Sequence, residues 1–157
     1  MPKIQHFAFK QDYPNLSLRL STEASVFGVS TGNTGKGITV KALWDTGAMG
    51  SAITPAVAQR LNLIPFGRVK VNGINNVSIA DIVKISIGLP NMVMVQEINV
   101  MVCNLVKDID LLIGMDIILL GDFAISNGGG KTLFSFAIPS FEDKTDFYEK
   151  TLAKNSE

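Results

Sequence analysis

The sequence contains one cysteine, one histidine and no surplus of charge of either sign. Each scarcity removes a class of function. With 14 basic and 14 acidic side chains and no dense basic block, the chain lacks the electrostatic footprint of a nucleic-acid binder, so no nucleic-acid partner is expected. Cys103 alone can form no intrachain disulfide, and "MPKIQHFAFK" at the start has no continuous apolar stretch of the signal-peptide kind. Together these predict a reducing, cytoplasmic setting. Apolar stretches such as "DIDLLIGMDIILLGDFAI" are broken by Asp and Gly before reaching the roughly 18 uninterrupted residues of a membrane span. No membrane partner is expected. His6 stands apart from any cysteine or carboxylate cluster, which disfavours a zinc site and a histidine-based triad; no metal or cofactor is predicted. Any chemistry falls to carboxylates and hydroxyls.

What the sequence does have is apolar, β-prone material. At 157 residues and 46% hydrophobic it suits one domain with a real core. The segments "LSLRLS", "SVFGVS", "GITVKALW", "GRVKVNG", "VKISIGL", "MVMVQEINVMVC" and "LFSFAI" mostly alternate with period two between turn residues, which predicts an all-β, mainly strand-built fold. Hairpin turns are expected at residues 30 to 37, at Asn72 to Asn76 within a ribbon over 69 to 80, and at Gly128 to Gly130. Two short helices interrupt the strands. One is placed at about 55 to 61, with Thr54 as N-cap, Pro55 at the first helical position and Val57 paired with Leu61. The other is placed at about 115 to 120 and, being apolar nearly all round, is predicted to be buried. After Pro139 the composition turns charged and polar; Phe141, Phe147, Tyr148 and Leu152 are its few anchors, and it reads as a docked terminal helix or a frayed tail.

The chemically informative stretch is "ALWDTGAMGSAI". Asp and Gly are common turn formers, so Asp45-Thr46-Gly47 could simply join two strands. Its setting is unusual for a turn, because Ala42, Leu43 and Trp44 carry a carboxylate into apolar surroundings, where an ionised Asp is costly unless hydrogen-bonded or paired. Further on, "DLLIGMDII" runs an apolar strand into Gly114-Met115-Asp116.

These two motifs in this order, with "TPAVAQRLNL" between them, resemble the retropepsin-like aspartic proteases over about residues 25 to 137. The resemblance implies a closed β-barrel of the acid-protease kind: a domain over 25–138, a strand-like N-terminal extension over 1–24, and a charged tail over 139–157. It also implies an aspartic endopeptidase acting on extended polypeptides. Such hydrolysis needs two carboxylates sharing a proton, and this chain has one Asp-Thr-Gly. The second carboxylate would be Asp45 of another copy across a two-fold axis, making the enzyme a homodimer. By the same resemblance Thr46 would lock the two loops together, Gly47 would allow close approach of the backbone, and Ala48 would line the substrate floor. The ribbon over 69–80 would be the flap, with Gly73 and Ile74 at its tip. Gly114 and Asp116 would be structural, Asp116 bonding loops at the start of the short helix. Trp44 departs from the pattern, which usually has a smaller aliphatic residue there, and is expected to alter the site or its dimer contacts. His6, Cys103 and the methionines at 92, 94 and 101 are read as ordinary surface or packing residues.

Two other readings stay open at the level of sequence. A retropepsin-like module can dimerise or hold a peptide without cutting it, since a fold does not fix a function. An unrelated small β-barrel could carry Asp-Thr-Gly incidentally.

Overall fold

The computed structural model describes residues 2–29, 35–72 and 75–157. Strands β1 (Phe7–Asp12), β2 (Ser21–Gly28), β3 (Ile38–Trp44) and β4 (Ala52–Ile53) are followed by helix α1 (Pro55–Arg60). The long ribbon of β5 (Gly67–Asn72) and β6 (Val77–Gly88) leads to β7 (Met94–Val102), β8 (Leu111–Ile113) and helix α2 (Met115–Ile118). Strands β9 (Asp122–Ser126) and β10 (Leu133–Ile138) and helix α3 (Phe147–Asn155) complete the chain.

Seven strands form one sheet in the order β2-β3-β8-β4-β7-β6-β5, and a further pairing of β2 with β6 closes six of them into a barrel. Among the described residues, strand β5 pairs with β6 alone, so it stands outside the ring as one arm of a hairpin. The alternation predicts a mainly-β fold and the resemblance implies a closed barrel; a mainly-β fold with a closed six-stranded barrel is what is observed. Alternation sets the barrel's inside: along β6, Val83, Ile85 and Ile87 are buried while Lys84 between them is exposed. Val26, Val40, Ala42, Ile53, Val100, Leu111 and Ile113 complete this apolar interior.

A second sheet, ordered β1-β10-β9 and antiparallel throughout, lies beside the barrel. One of its faces carries Phe9, Phe134 and Phe136, all buried. Trp44, the last residue of β3, enters this cluster, with ring centroids 5.0 Å from those of both Phe134 and Phe136. Aromatic pairs at such separations add to the burial of their area, so Trp44 joins sheet to barrel. The strand-like N-terminal segment is therefore a structural strand paired with β10, from Phe7 opposite Ile138 to Asp12 opposite Leu133.

Several local expectations are revised. "LSLRLS" alternates, yet residues 16 to 20 form no strand: Ser17 Oγ bonds Arg19 O, and Ser17 N donates to Thr132 Oγ1 at 2.9 Å. Local side-chain bonding and the Thr132 contact replace a ladder here. Helix α1 begins at Pro55 as predicted, but Thr54 makes no capping bond; its hydroxyl donates to Asp110 Oδ1 at 3.3 Å. Helix α2 buries Ile117 and Ile118 only, leaving Leu119 and Leu120 exposed just beyond its end. The tail forms α3, N-capped by Asp146, whose Oδ1 accepts from Tyr148 N at 2.8 Å and Glu149 N at 3.2 Å. It is a helix exposed along its whole length, neither docked nor frayed. The ribbon of β5 and β6 has the expected register, Val69 opposite Ala80 and Asn72 opposite Val77; its predicted tip residues Gly73 and Ile74 lie outside the described residues. The first turn expected over 30 to 37 lies mostly outside them too. Among the described residues, no helix is long and apolar enough to cross a membrane.

Candidate active site

The position of Asp45 follows from one strand pair. β3 and β8 run parallel, with Ala42 opposite Leu111 and Trp44 opposite Ile113, so both strands end at the same level. Asp45 leaves β3 where Gly114 leaves β8, and Asp45 N donates to Ile113 O at 2.9 Å. The two motifs recognised far apart in the sequence thus meet at one end of the barrel.

The Asp45 loop is tight. Its Oδ1 accepts from Gly47 N at 2.8 Å, and its carbonyl accepts from Ala48 N at 3.2 Å. Asp45 is half-buried, and among the described residues its Oδ2 accepts no hydrogen bond and Thr46 Oγ1 has no partner. One carboxylate oxygen is held by the loop and the other is left for something outside it. A cleft of about 500 Å³ opens beside Asp45 and Thr46, bounded by Ser17 to Leu20 on one side and by Phe123, Ile125 and Asn127 on another.

Both carboxylate oxygens of Asp116 are taken up by hydrogen bonds within the chain. Its Oδ1 accepts from Ser51 Oγ at 2.6 Å and from Ile117 N at 2.9 Å, and its Oδ2 accepts from Ser51 N at 2.9 Å. Ser51, buried, also takes Gly114 N onto its hydroxyl oxygen at 3.0 Å. Main-chain bonds from Met115 N to Ala48 O at 2.8 Å and from Asp116 N to Met49 O at 3.1 Å complete the junction. Gly114 is required for its closeness: a Cβ there would lie 2.8 Å from Gly50 C and O and 2.9 Å from Ala48 O, all main chain. The loop after Asp45 is therefore fastened along its length to the segment that opens α2.

Trp44 lines the base of the cleft beside Asp45. Its ring turns into the aromatic cluster, and Nε1 donates to the buried Thr22 Oγ1 at 3.0 Å. The expected disturbance of the site becomes a brace under it. Trp44→Phe, which keeps an aromatic ring but leaves the Thr22 hydroxyl without its donor, is expected to lower stability by about 1–2 kcal/mol, measured by urea denaturation.

The structure thus gathers Asp45, Thr46, Gly47, Ala48, Gly114 and Asp116 into one place. Sequence reasoning assigned no role to Ser51, which ties Asp116 to Gly114; the only signal for it is a small hydroxyl residue following the Asp-Thr-Gly loop. It also missed β9 as a wall of the cleft. His6 is a surface residue whose Nδ1 lies 2.9 Å from Pro139 O and whose ring stacks on Phe141. Cys103 is half-buried, and burial pushes its thiol up from the ordinary value, so it is a poor nucleophile. Among the described residues, no group of His, Cys, Asp or Glu is arranged to hold a metal ion.

Comparison with known proteins gives the family and the fold. The aspartyl protease family matches residues 30–117, more than half of the chain and including both motifs. A retropepsin-like aspartic protease from Rickettsia conorii has a similar solved structure, at 17% identity and a TM-score of 0.51, covering 87% of this chain and 98% of that one. This likeness concerns the fold. The EIAV protease, solved with the inhibitor HBY-793, aligns at 20% identity and a TM-score of 0.46 over 66% of this chain and 88% of its own. No curated protein matches the chain.

Proposed function

Because the chain belongs to the aspartyl protease family and folds as a retropepsin-like barrel, we propose that it is an aspartic endopeptidase whose active site forms between two copies. One observation carries the proposal: Asp45 is held by its own loop through Oδ1 only, at the edge of a cleft, with no second carboxylate of its chain bonded to it among the described residues. That is the condition of half a catalytic dyad.

Two Asp45 side chains related by a two-fold axis share one proton and hold a water between them. The ionised carboxylate takes a proton from this water as its oxygen attacks the peptide carbonyl carbon; the protonated carboxyl gives its proton to the carbonyl oxygen. Collapse of the tetrahedral intermediate breaks the carbon–nitrogen bond, and the amine leaves with a proton returned through the dyad. Thr46, whose hydroxyl has no partner within the described part of its own chain, bonds across the axis and fixes the two loops. Gly47 gives its N–H to Asp45 and leaves the space above the carboxylate free of a side chain. Ala48 lines the floor, while Gly114 and Asp116 hold the loop from behind.

The ribbon of β5 and β6 serves as the flap, with Gly73 and Ile74 meeting the substrate. An extended peptide between ribbon and floor bonds through its backbone and sends alternate side chains into pockets. Because the reaction needs one carboxylate ionised and its mate protonated, activity should pass through a maximum with pH and fall on either side.

Digestion of a peptide library across pH, with and without a pepstatin-type inhibitor, tests the proposal. Cleavage abolished by the inhibitor is expected. A dimer verified in solution that turns over nothing at any pH would favour instead a retropepsin-like module that dimerises or holds a peptide without cutting it.

A further inference from the structure

Residues 16 to 20 alternate like a strand, yet they are pinned as one wall of the cleft beside Asp45. The Tyr13 hydroxyl donates to Ser21 O at 2.8 Å and accepts from Ser21 N at 2.9 Å, which clamps the two ends of the segment together. Midway, Ser17 N donates to the buried Thr132 Oγ1 at 2.9 Å, and Ser17 Oγ donates to Arg19 O. Leu20 O then accepts from Trp44 N, the residue before Asp45, at 2.9 Å. The backbone that carries Arg19 is fixed on both sides, and one of its anchors is the strand that delivers Asp45.

An exposed arginine is often a solvated surface charge with no further role. This one is set apart by its surroundings. Of the residues lining the cleft only Arg19 and Asp45 are charged, and Leu20, Leu43, Trp44, Phe123 and Ile125 make the rest mostly apolar. Among the described residues the ion pairs are Lys10 with Asp12 and Arg68 with Asp81, so the Arg19 guanidinium is paired neither with Asp45 nor with any other carboxylate. Its planar fork suits a carboxylate, and the attraction strengthens when a bound chain displaces water from apolar walls.

We propose that Arg19 determines specificity, recognising a carboxylate that the peptide substrate carries near the scissile bond. An extended chain advances about 3.3 Å per residue, which places that carboxylate within about three positions of the bond held over Asp45. Arg19 takes no part in the proton transfers. Its charge favours binding of an acidic chain and sets the register of that chain along the cleft. The carboxylate belongs to an Asp or Glu side chain or to the chain's C-terminus, both of which present the same two oxygens. This inference rests on the reading of the cleft as a peptide-binding site and adds the class of peptide that it takes.

Matched peptides test it. Starting from a sequence cleaved in the peptide library, Glu is placed in turn at each of about three positions on either side of the bond, with Gln as the neutral control and both ends blocked. A further Gln peptide keeps its free C-terminal carboxylate. Glu at one position at least, or the free terminus, should raise kcat/KM by at least about fivefold over the blocked Gln peptide, and which of them does so identifies the source of the carboxylate. Arg19→Gln should bring that ratio to about one, Arg19→Lys should keep part of it, and Arg19→Glu should turn the preference toward Lys. A loss of fold or of association slows both peptides alike, so the ratio isolates the contact. Cleavage indifferent to peptide charge, or a preference that survives Arg19→Gln, overturns the proposal and leaves the proteolytic reading standing. So does an Arg19→Gln variant that weakens self-association with the ratio unmoved, which makes Arg19 an interface residue. If nothing is cleaved, fluorescence anisotropy of the same labelled peptides decides. Tighter binding of the acidic peptide that Arg19→Gln removes supports the contact while the proteolytic reading fails, and binding without that difference, or none, overturns the contact as well.

Discussion

Asp45→Asn should reduce peptide cleavage by at least about 10³-fold while leaving the fold and self-association intact. The substitution keeps a carbonyl oxygen where Oδ1 accepts from Gly47 N at 2.8 Å, so the loop retains its internal bond. What disappears is ionisation. An Asn pair can neither take a proton from water nor return one to the leaving amine, and both carboxylates change together because a single gene supplies them. Circular dichroism and sedimentation should match the unaltered protein, and kcat should carry the whole loss. A variant still cleaving at the original rate would remove Asp45 from the chemistry.

Asp116→Ala should do the opposite, lowering stability strongly and activity only through stability. Three donors lose their acceptor at once: Ser51 N, Ser51 Oγ and Ile117 N. Ser51 is buried, so its unpaired groups cannot readily turn to water. Hydrogen bonds to a charged group are worth more than neutral ones, and losses in a shared network do not add, which puts the expected cost at about 3 kcal/mol. For a chain of this size that corresponds to a fall in Tm of roughly 6–12 °C. Asp116→Asn, which keeps one acceptor oxygen, should lose less. At a temperature where Asp116→Ala is folded and dimeric it should still cleave. Complete loss of cleavage with Tm unchanged would make Asp116 a catalytic residue and overturn its structural role.

The sequence made legible those features that depend on local pattern. Period-two alternation shows in β6, where Val83, Ile85 and Ile87 point inward, and turn residues marked the hairpin of β9 and β10 at Gly128 to Gly130. The two motifs were legible for the same reason, each being a short run with its own chemistry. What joins them was not. The parallel pairing of β3 with β8 is a long-range contact between Ala42 and Leu111, and neither strand's pattern names its partner. Leu16 and Leu18 illustrate the reverse failure. Their alternation is that of a strand, yet the backbone between them bonds to Thr132 and to its own serine, and both leucines are exposed. β9 was hidden in "MDIILLGDFAI", a run apolar enough that helix and strand periods cannot be separated. Trp44 stands next to Asp45 in the sequence, which predicts a disturbed site. Its indole packs against Phe134 and Phe136 beneath the cleft, a tertiary contact that its place next to Asp45 does not reveal.

The central claim is that Asp45 works only with a second Asp45. Mixing unaltered protein with Asp45→Asn at fixed total concentration, and allowing subunits to exchange, tests it most directly. Cleavage should fall as the square of the unaltered fraction, so that an equal mixture keeps about a quarter of the activity, because mixed dimers carry one carboxylate and are inactive. A fall in simple proportion, with about half the activity remaining, would mean that each chain cleaves by itself and would contradict the account.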